Sequence, residues 1–416
     1  MNQALKIFLA CIFVSFPLFL KAQDSIRQKN KAYIKDSVDF EGRHHNLIDV
    51  IDVGRYLLNK DLAARHYSIV NKLAKPHVSI VPAAGYTLAN GFAVAVSGNI
   101  AFYTSDSSTQ KISNIVTSLA YTQDKQIILP LAINYWSKNN KYNFVTQWRY
   151  MKYPSPNYQI LDNTTSVKNY TIDFSYLELH QTIFRRITEN FYGGLGYYLD
   201  YFWNIKELGL PANTKSGFEQ YGFSHKEFSS GLIFRILYDS RLNQINPDGG
   251  MYANIEFRPN YMFLGSHSNW ESLIMDFRKY IKFPNNSKNI LALWSYNWLT
   301  LSGKPSYLLL PSTGWDEAYN TGRGYIQSRF RGRNMLYQEI EYRFGIMHNG
   351  LIGGVVFVNN QIFTSNTSDN IVTVAPGWGT GIRIKFNKFS RTNIAIDYGF
   401  GLDGSHGFFV NLGEVF

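Results

Sequence analysis

The sequence predicts an all-β protein: a single transmembrane β-barrel of about sixteen antiparallel strands, with one short helix ahead of it. Three observations carry that prediction. Aromatic residues make up 16% of 416 positions (29 Tyr, 30 Phe, 8 Trp), yet mean hydropathy is slightly negative. That balance suits rings at two lipid interfaces and polar groups in a lumen. Beyond residue 22 the longest apolar stretches are Ile127–Ile133 and Leu351–Val358, far short of the roughly 20 residues a membrane helix needs. A membrane span would therefore be a closed sheet, which satisfies every backbone polar group. From His77 onward, apolar residues recur with a period of two and charges fill the alternate positions.

The elements follow in order. Met1–Lys6 is basic, Ile7–Leu20 is apolar, and Ala22 is a small residue suited to cleavage. Residues 1–22 read as a secretory signal peptide. The one cysteine, Cys11, lies within it; a lipoprotein reading of Leu9-Ala10-Cys11 is disfavoured because the apolar run continues for nine residues beyond. A mature chain without cysteine has no disulfide and no thiolate metal site. Loss of Lys6 and Lys21 leaves 39 basic against 30 acidic residues, a formal +9. That excess suits the phosphates of outer-membrane lipid and lipopolysaccharide. Nucleic-acid binding would need a basic cluster on a soluble domain, and the sequence has none.

Residues 23–76 read as a periplasmic leader. Ser25–Arg43 is polar, whereas Asn46–Lys60 places Leu47, Val50, Ile51, Gly54, Leu57 and Leu58 at helical spacing. This predicts one amphipathic helix, lying on the inner rim of the barrel or entering its lumen.

Turn signals divide residues 77–416 into strands at 77–87, 91–104, 112–121, 125–136, 141–153, 167–187, 190–204, 227–240, 249–263, 271–283, 288–302, 333–345, 350–358, 372–387, 390–400 and 406–416. Their alternation is explicit. Tyr142, Phe144, Trp148 and Tyr150 alternate with Asn143, Gln147 and Arg149; Leu232, Phe234, Ile236 and Tyr238 alternate with Arg235 and Asp239. Charges on the second face of an aromatic strand imply a wet interior. The connections agree: 137–140, 188–189, 284–287, 346–349 and 388–389 are tight, while 154–166, 205–226, 303–332 and 359–371 are long. Long loops at one end and tight turns at the other is barrel asymmetry, with the long loops outside the cell. In the last strand Phe408, Val410, Leu412 and Phe416 share one face, and Gly407, Phe409, Asn411 and Gly413 the other. An aromatic end of this kind is how an outer-membrane barrel finishes.

Several segments resemble the BamA/TamA surface-antigen family of outer-membrane barrels. In the longest loop stands Thr321-Gly322-Arg323-Gly324-Tyr325, followed by Arg331-Gly332-Arg333-Asn334 and by Glu339-Ile340-Glu341-Tyr342-Arg343-Phe344. A second match is Asp239-Ser240-Arg241-Leu242-Asn243 with Asn246-Pro247-Asp248-Gly249-Gly250, similar to the family's inner turn. Asp276-Phe277-Arg278 and the closing Gly413-Glu414-Val415-Phe416 are similar too. The resemblance covers residues 77–416. It implies that loop 303–332 folds into the lumen, where Arg323 meets acidic groups on the strands behind it. The family's F-x-D appears here as Phe357-Val358-Asn359, so an amide replaces the usual carboxylate and Glu339 or Glu341 becomes the candidate counter-charge. The alternative is a solvated basic loop.

The resemblance also implies a seam between first and last strands that parts for a client strand. Pro82 in the first strand and Gly407 and Gly413 in the last weaken strand pairing. The family's periplasmic repeats, each about 75 residues, do not fit within 23–76, which reads as a stand-alone barrel needing a periplasmic or outer-membrane assembly partner or a second copy of itself. Three roles stay open: assistance in insertion or translocation of outer-membrane proteins, a binding or structural barrel without that activity, and a gated pore. No catalytic residue, metal or cofactor is expected. His44, His45, His180, His225, His267, His348 and His406 lack ligand spacing. A histidine converging with two acidic groups at the outer rim would reopen that question.

Overall fold

The computed structural model describes residues 47–57, 76–87, 91–105, 109–158, 170–210, 216–222, 224–388 and 390–416. The predicted signal peptide, Cys11, the polar leader and His44-His45 lie outside the described residues. Seventeen strands follow in chain order: β1 (His77–Thr87), β2 (Gly91–Phe102), β3 (Ser113–Thr122), β4 (Ile127–Trp136), β5 (Tyr142–Lys152), β6 (Ser155–Asn157), β7 (Tyr170–Thr188), β8 (Phe191–Leu208), β9 (Glu227–Asp239), β10 (Gly250–Asn260), β11 (Trp270–Lys282), β12 (Ile290–Gly303), β13 (Asn334–Gly345), β14 (Ile352–Thr364), β15 (Ile371–Asn387), β16 (Thr392–Phe400) and β17 (His406–Leu412). Sixteen of them are staves of an antiparallel meander. The three-residue β6 extends β5 along the end of β7, pairing Ser155 with Ile172. The described residues also include two short α-helices, α1 (Val50–Leu57) and α2 (Gly217–Gly222), and three single 3-10 turns. No helix among the described residues is long and apolar enough to cross a membrane.

Alternation sorts the side chains as the period of two predicts. Leu232, Phe234 and Ile236 of β9 point outward, while Arg235 and Asp239 are buried within. On β13, Ile340 is outward and Glu339, Glu341 and Arg343 are inward. Buried arginines and carboxylates fill the interior in pairs, because an unpaired charge there is costly. The wall is continuous from β1 to β17, each stave laddered to the next. Strands β1 and β17 approach over a short stretch only, and no ladder joins them among the described residues.

Three expectations need correction. Strand β14 runs on to Thr364 instead of ending at residue 358, so Asn359 is a wall residue paired with Gly377 and the outer connection shrinks to 365–370. Strand β17 stops at Leu412. Gly413 takes φ +113°, its N–H donates to the Asn393 carbonyl at 2.7 Å, and the chain turns inward. Phe416 is therefore 4% exposed inside the barrel rather than outward with Phe408 and Val410. It stacks on Trp294 (ring centroids 5.0 Å) and packs near Tyr280 on the inner face. Finally, residues 47–49 are not helical: the helix begins at Val50 and is described to Leu57, and the remaining ends of the predicted 46–60 lie outside the described residues. The helix sits on the rim formed by the tight turns, and the buried residues there are the acids Asp49 and Asp52 rather than the apolar stripe.

Candidate functional site

The connection between β12 and β13 descends into the lumen. Its tip is shaped by Asp316, whose carboxylate accepts the backbone N–H groups of Ala318 (3.2 Å), Asn320 (2.9 Å) and Thr321 (2.7 Å). Gly322 and Gly324 follow with φ +82° and +108°, a region side-chain-bearing residues avoid. Between them the chain presents Arg323 to the wall. The wall answers with its own glycine: a Cβ on Gly399 would lie 2.6 Å from the Gly324 nitrogen. Tyr325 is buried, and its hydroxyl donates to the Pro376 carbonyl at 2.6 Å.

Arg323 is 1% exposed and meets three carboxylates. Its Nη2 donates to Glu339 and, at 2.5 Å, to Glu341; Nη1 donates to Asp397 at 2.5 Å. The guanidinium lies 3.7 Å from the centre of the Phe357 ring, adding a cation–π contact. Alternation on β13 delivers both glutamates to one place, as the sequence predicts. Asn359 takes a different part from the counter-charge its position suggested: its amide donates to the Arg323 backbone carbonyl at 2.9 Å. The third carboxylate, Asp397 on β16, was not among the expected partners. Its sequence signal is a lone inward acid in Ile394-Ala395-Ile396-Asp397-Tyr398.

This cluster continues to the C-terminal tail. Arg343 donates to Glu341 (2.6 Å) and to the Phe416 backbone oxygen (2.9 Å). Arg383 binds Asp397 and Glu414, the latter at 2.7 Å. Charge-assisted bonds of this density, out of water, fix geometry more firmly than neutral ones. Asn320 ties loop to tail by donating to the Val415 carbonyl at 2.7 Å.

A second contact zone holds the loop from the opposite wall. Arg149 on β5 lies 3.8 Å from the Tyr319 ring centre, Gln147 donates to Glu317 at 3.1 Å, and Arg235 on β9 is 3.5 Å from Glu317. The loop thus bridges the lumen from β13–β16 to β5–β9.

The inner-turn residues form a second cluster, joined to the rest where Asn243 donates to the Ser390 carbonyl (3.2 Å) and the Glu414 N–H donates to the Ile245 carbonyl (3.3 Å). Arg241 grips Asp239 with two side-chain bonds (3.0 and 3.2 Å), and Asn243 accepts the N–H groups of Ile245 (2.8 Å) and Asn246 (2.9 Å). Gly250 has φ +93°, and a Cβ there would meet the Ser240 carbonyl oxygen at 2.8 Å, so the position takes glycine on both counts. Pro247 is buried in the same segment. Pro82 is paired with Val96 in β1 and exposed; Gly407, Phe408, Val410 and Leu412 pair with β16. His180 does approach Asp200 (3.1 Å) and Glu178 (3.5 Å), but within the wall rather than at the outer rim. Arg258 and Arg149 already pair with those carboxylates, and Tyr198 stacks on the ring at 3.7 Å.

A sixteen-stave barrel with an apolar exterior and a loop pinned in a charged lumen is an outer-membrane-type β-barrel. No family model and no curated protein matches the sequence. Among solved structures, the chain is similar to BamA from Haemophilus ducreyi lacking POTRA domains 1-3 (TM-score 0.52, 14% identity, 82% of this chain and 70% of that one). It is also similar to CdiB from Acinetobacter baumannii (TM-score 0.51, 10% identity, 83% and 67%). The fold is therefore of the BamA/CdiB type.

Proposed function

We propose that this protein resides in an outer membrane, with its N-terminal leader in the periplasm, and assists the insertion, assembly or translocation of outer-membrane or surface proteins. The observation that carries this reading is the seam: every neighbouring pair of staves from β1 to β17 is laddered, whereas β1 and β17 meet without a ladder among the described residues. Unpaired strand edges are templates for another strand, and a client strand in transit presents the matching edge. Pro82, which lacks an N–H, stands on one of those edges.

Depletion followed by quantitation of other barrels in the outer membrane tests the proposal. Abundance of one or more barrels or surface proteins should fall; unchanged abundance across the set would refute the assembly role. A second reading, a structural or binding barrel working as a subunit or homodimer, is favoured by the lumen contacts themselves. Loop and tail are both fixed to the wall, which suits a scaffold better than a gated pore.

A further inference from the structure

We infer that α1 is an interfacial anchor whose apolar stripe lies in the phospholipid leaflet at the tight-turn end of the barrel. This requires only that the barrel sits in a bilayer, not that it acts on clients. In proteins a helix of this kind draws most of its stability from what its faces touch. One side is accounted for. Asp49 and Asp52 exchange backbone-to-carboxylate bonds (2.8 and 3.2 Å), a reciprocal cap. The Asp49 carboxylate also accepts the Lys388 backbone N–H at 2.9 Å, and Lys388 Nζ reaches Asp52 at 2.8 Å. Ile48 donates to the Asn349 carbonyl at 3.0 Å, joining the helix to a second tight turn.

The opposite side is apolar and open. Val53, Tyr56 and Leu57 follow the i, i+3, i+4 spacing of a single helical stripe, and Tyr56 and Leu57 are 67% and 74% exposed. A helix facing water would show the reverse arrangement, acids out and apolar residues down. The stripe also has company. Ile346 and Met347, in the turn that receives Ile48, are exposed and continue the apolar outer surface of β13, on which Ile340 is outward. A helix on the rim of a lipid-facing wall, polar face to protein and apolar face away, has the geometry of a monotopic segment. A tyrosine at that level fits the headgroup boundary.

The test uses the full chain with Cys11→Ser, in nanodiscs of phosphatidylethanolamine and phosphatidylglycerol, carrying a nitroxide at one of Val53→Cys, Tyr56→Cys or Leu57→Cys. Phe408→Cys on the outward face of β17 reports lipid, and Asp403→Cys in the exposed turn after β16 reports water. Each variant must keep the heat-dependent gel shift of a folded barrel. Collisions with oxygen should exceed those with a water-soluble nickel chelate at all three helix sites, as at residue 408. A nickel-dominated response overturns the inference, and so does low access to both reagents, which would mean that protein covers the stripe. As a second measurement, Val53→Asp with Leu57→Asp should speed amide exchange over residues 50–57 in nanodiscs by about tenfold or more, given what burial of two such side chains contributes. Unchanged exchange would overturn it equally.

Discussion

Replacing Arg323 by alanine tests the site most directly, because the structure says where the loss falls. Glu341 keeps Arg343 and Arg383, and Asp397 keeps Arg383. Glu339 keeps only the hydroxyl of Tyr337 among its direct bonds. The substitution therefore strands one buried carboxylate. Removing one partner of a buried pair costs about 3–5 kcal/mol. At about 1.4 kcal/mol per factor of ten, that is a roughly hundred- to several-thousand-fold shift toward the undocked loop. The staves keep their ladders, so the cost should appear in the loop before the barrel. Amide exchange at Thr321 and Tyr325, whose N–H groups bond within the loop, reads it. Trypsin cutting after Arg329 gives a second reading, with the heat-dependent gel shift as control for the intact cylinder. Arg323→Lys should fall between, since an ammonium cannot span three carboxylates as a fork does. Arg323→Ala with Glu339→Gln should recover part of the protection by removing the stranded charge. Wild-type exchange and tryptic resistance in Arg323→Ala would refute the claim that this arginine holds the loop.

Three further outcomes follow from the same geometry. Asn359→Asp, which installs the carboxylate the resembling family carries, should loosen the loop by about 1–3 kcal/mol, because it replaces a donor facing the Arg323 carbonyl with an acceptor; exchange at Tyr325 would show it. Phe416→Ala should lower resistance to urea in detergent by about 3–5 kcal/mol, from the cavity left against Trp294 and Tyr280, whereas an outward Phe416 would predict a much smaller effect. Deletion of residues 312–331, which bridge the lumen, should raise single-channel conductance in planar bilayers well above that of the intact chain, and equal conductance would show that the loop does not obstruct the path.

Much of this arrangement is legible in the sequence, and the remainder is hidden for identifiable reasons. Strands in a charged lumen advertise their inward face, so Arg235, Glu339 and Glu341 could be placed by counting alone. Counting works along one strand. Asp397 reaches Arg323 from 74 residues away, through a register chain running β13 to β14 to β15 to β16, and no local spacing encodes that sum. The helix misled differently. The open residues Val53, Tyr56 and Leu57 share only Leu57 with the expected stripe, and spacing does not say whether a stripe seeks protein or lipid. At Phe416 the pattern 408, 410, 412 extrapolates to 416, yet alternation carries no information about where a chain leaves the wall; the positive φ of Gly413 decides that. The Asn359–Gln361 stretch shows the deepest ambiguity. Asparagines and glutamines after an apolar run read as a turn, and in a water-facing sheet they would be one. Here Asn359 and Gln361 are inward wall residues, one bonding the Arg323 carbonyl and the other Thr313 of the inserted loop. A wall that receives a loop must offer the same polar groups that a loop itself is made of, so at the docking surface the two cannot be told apart by composition.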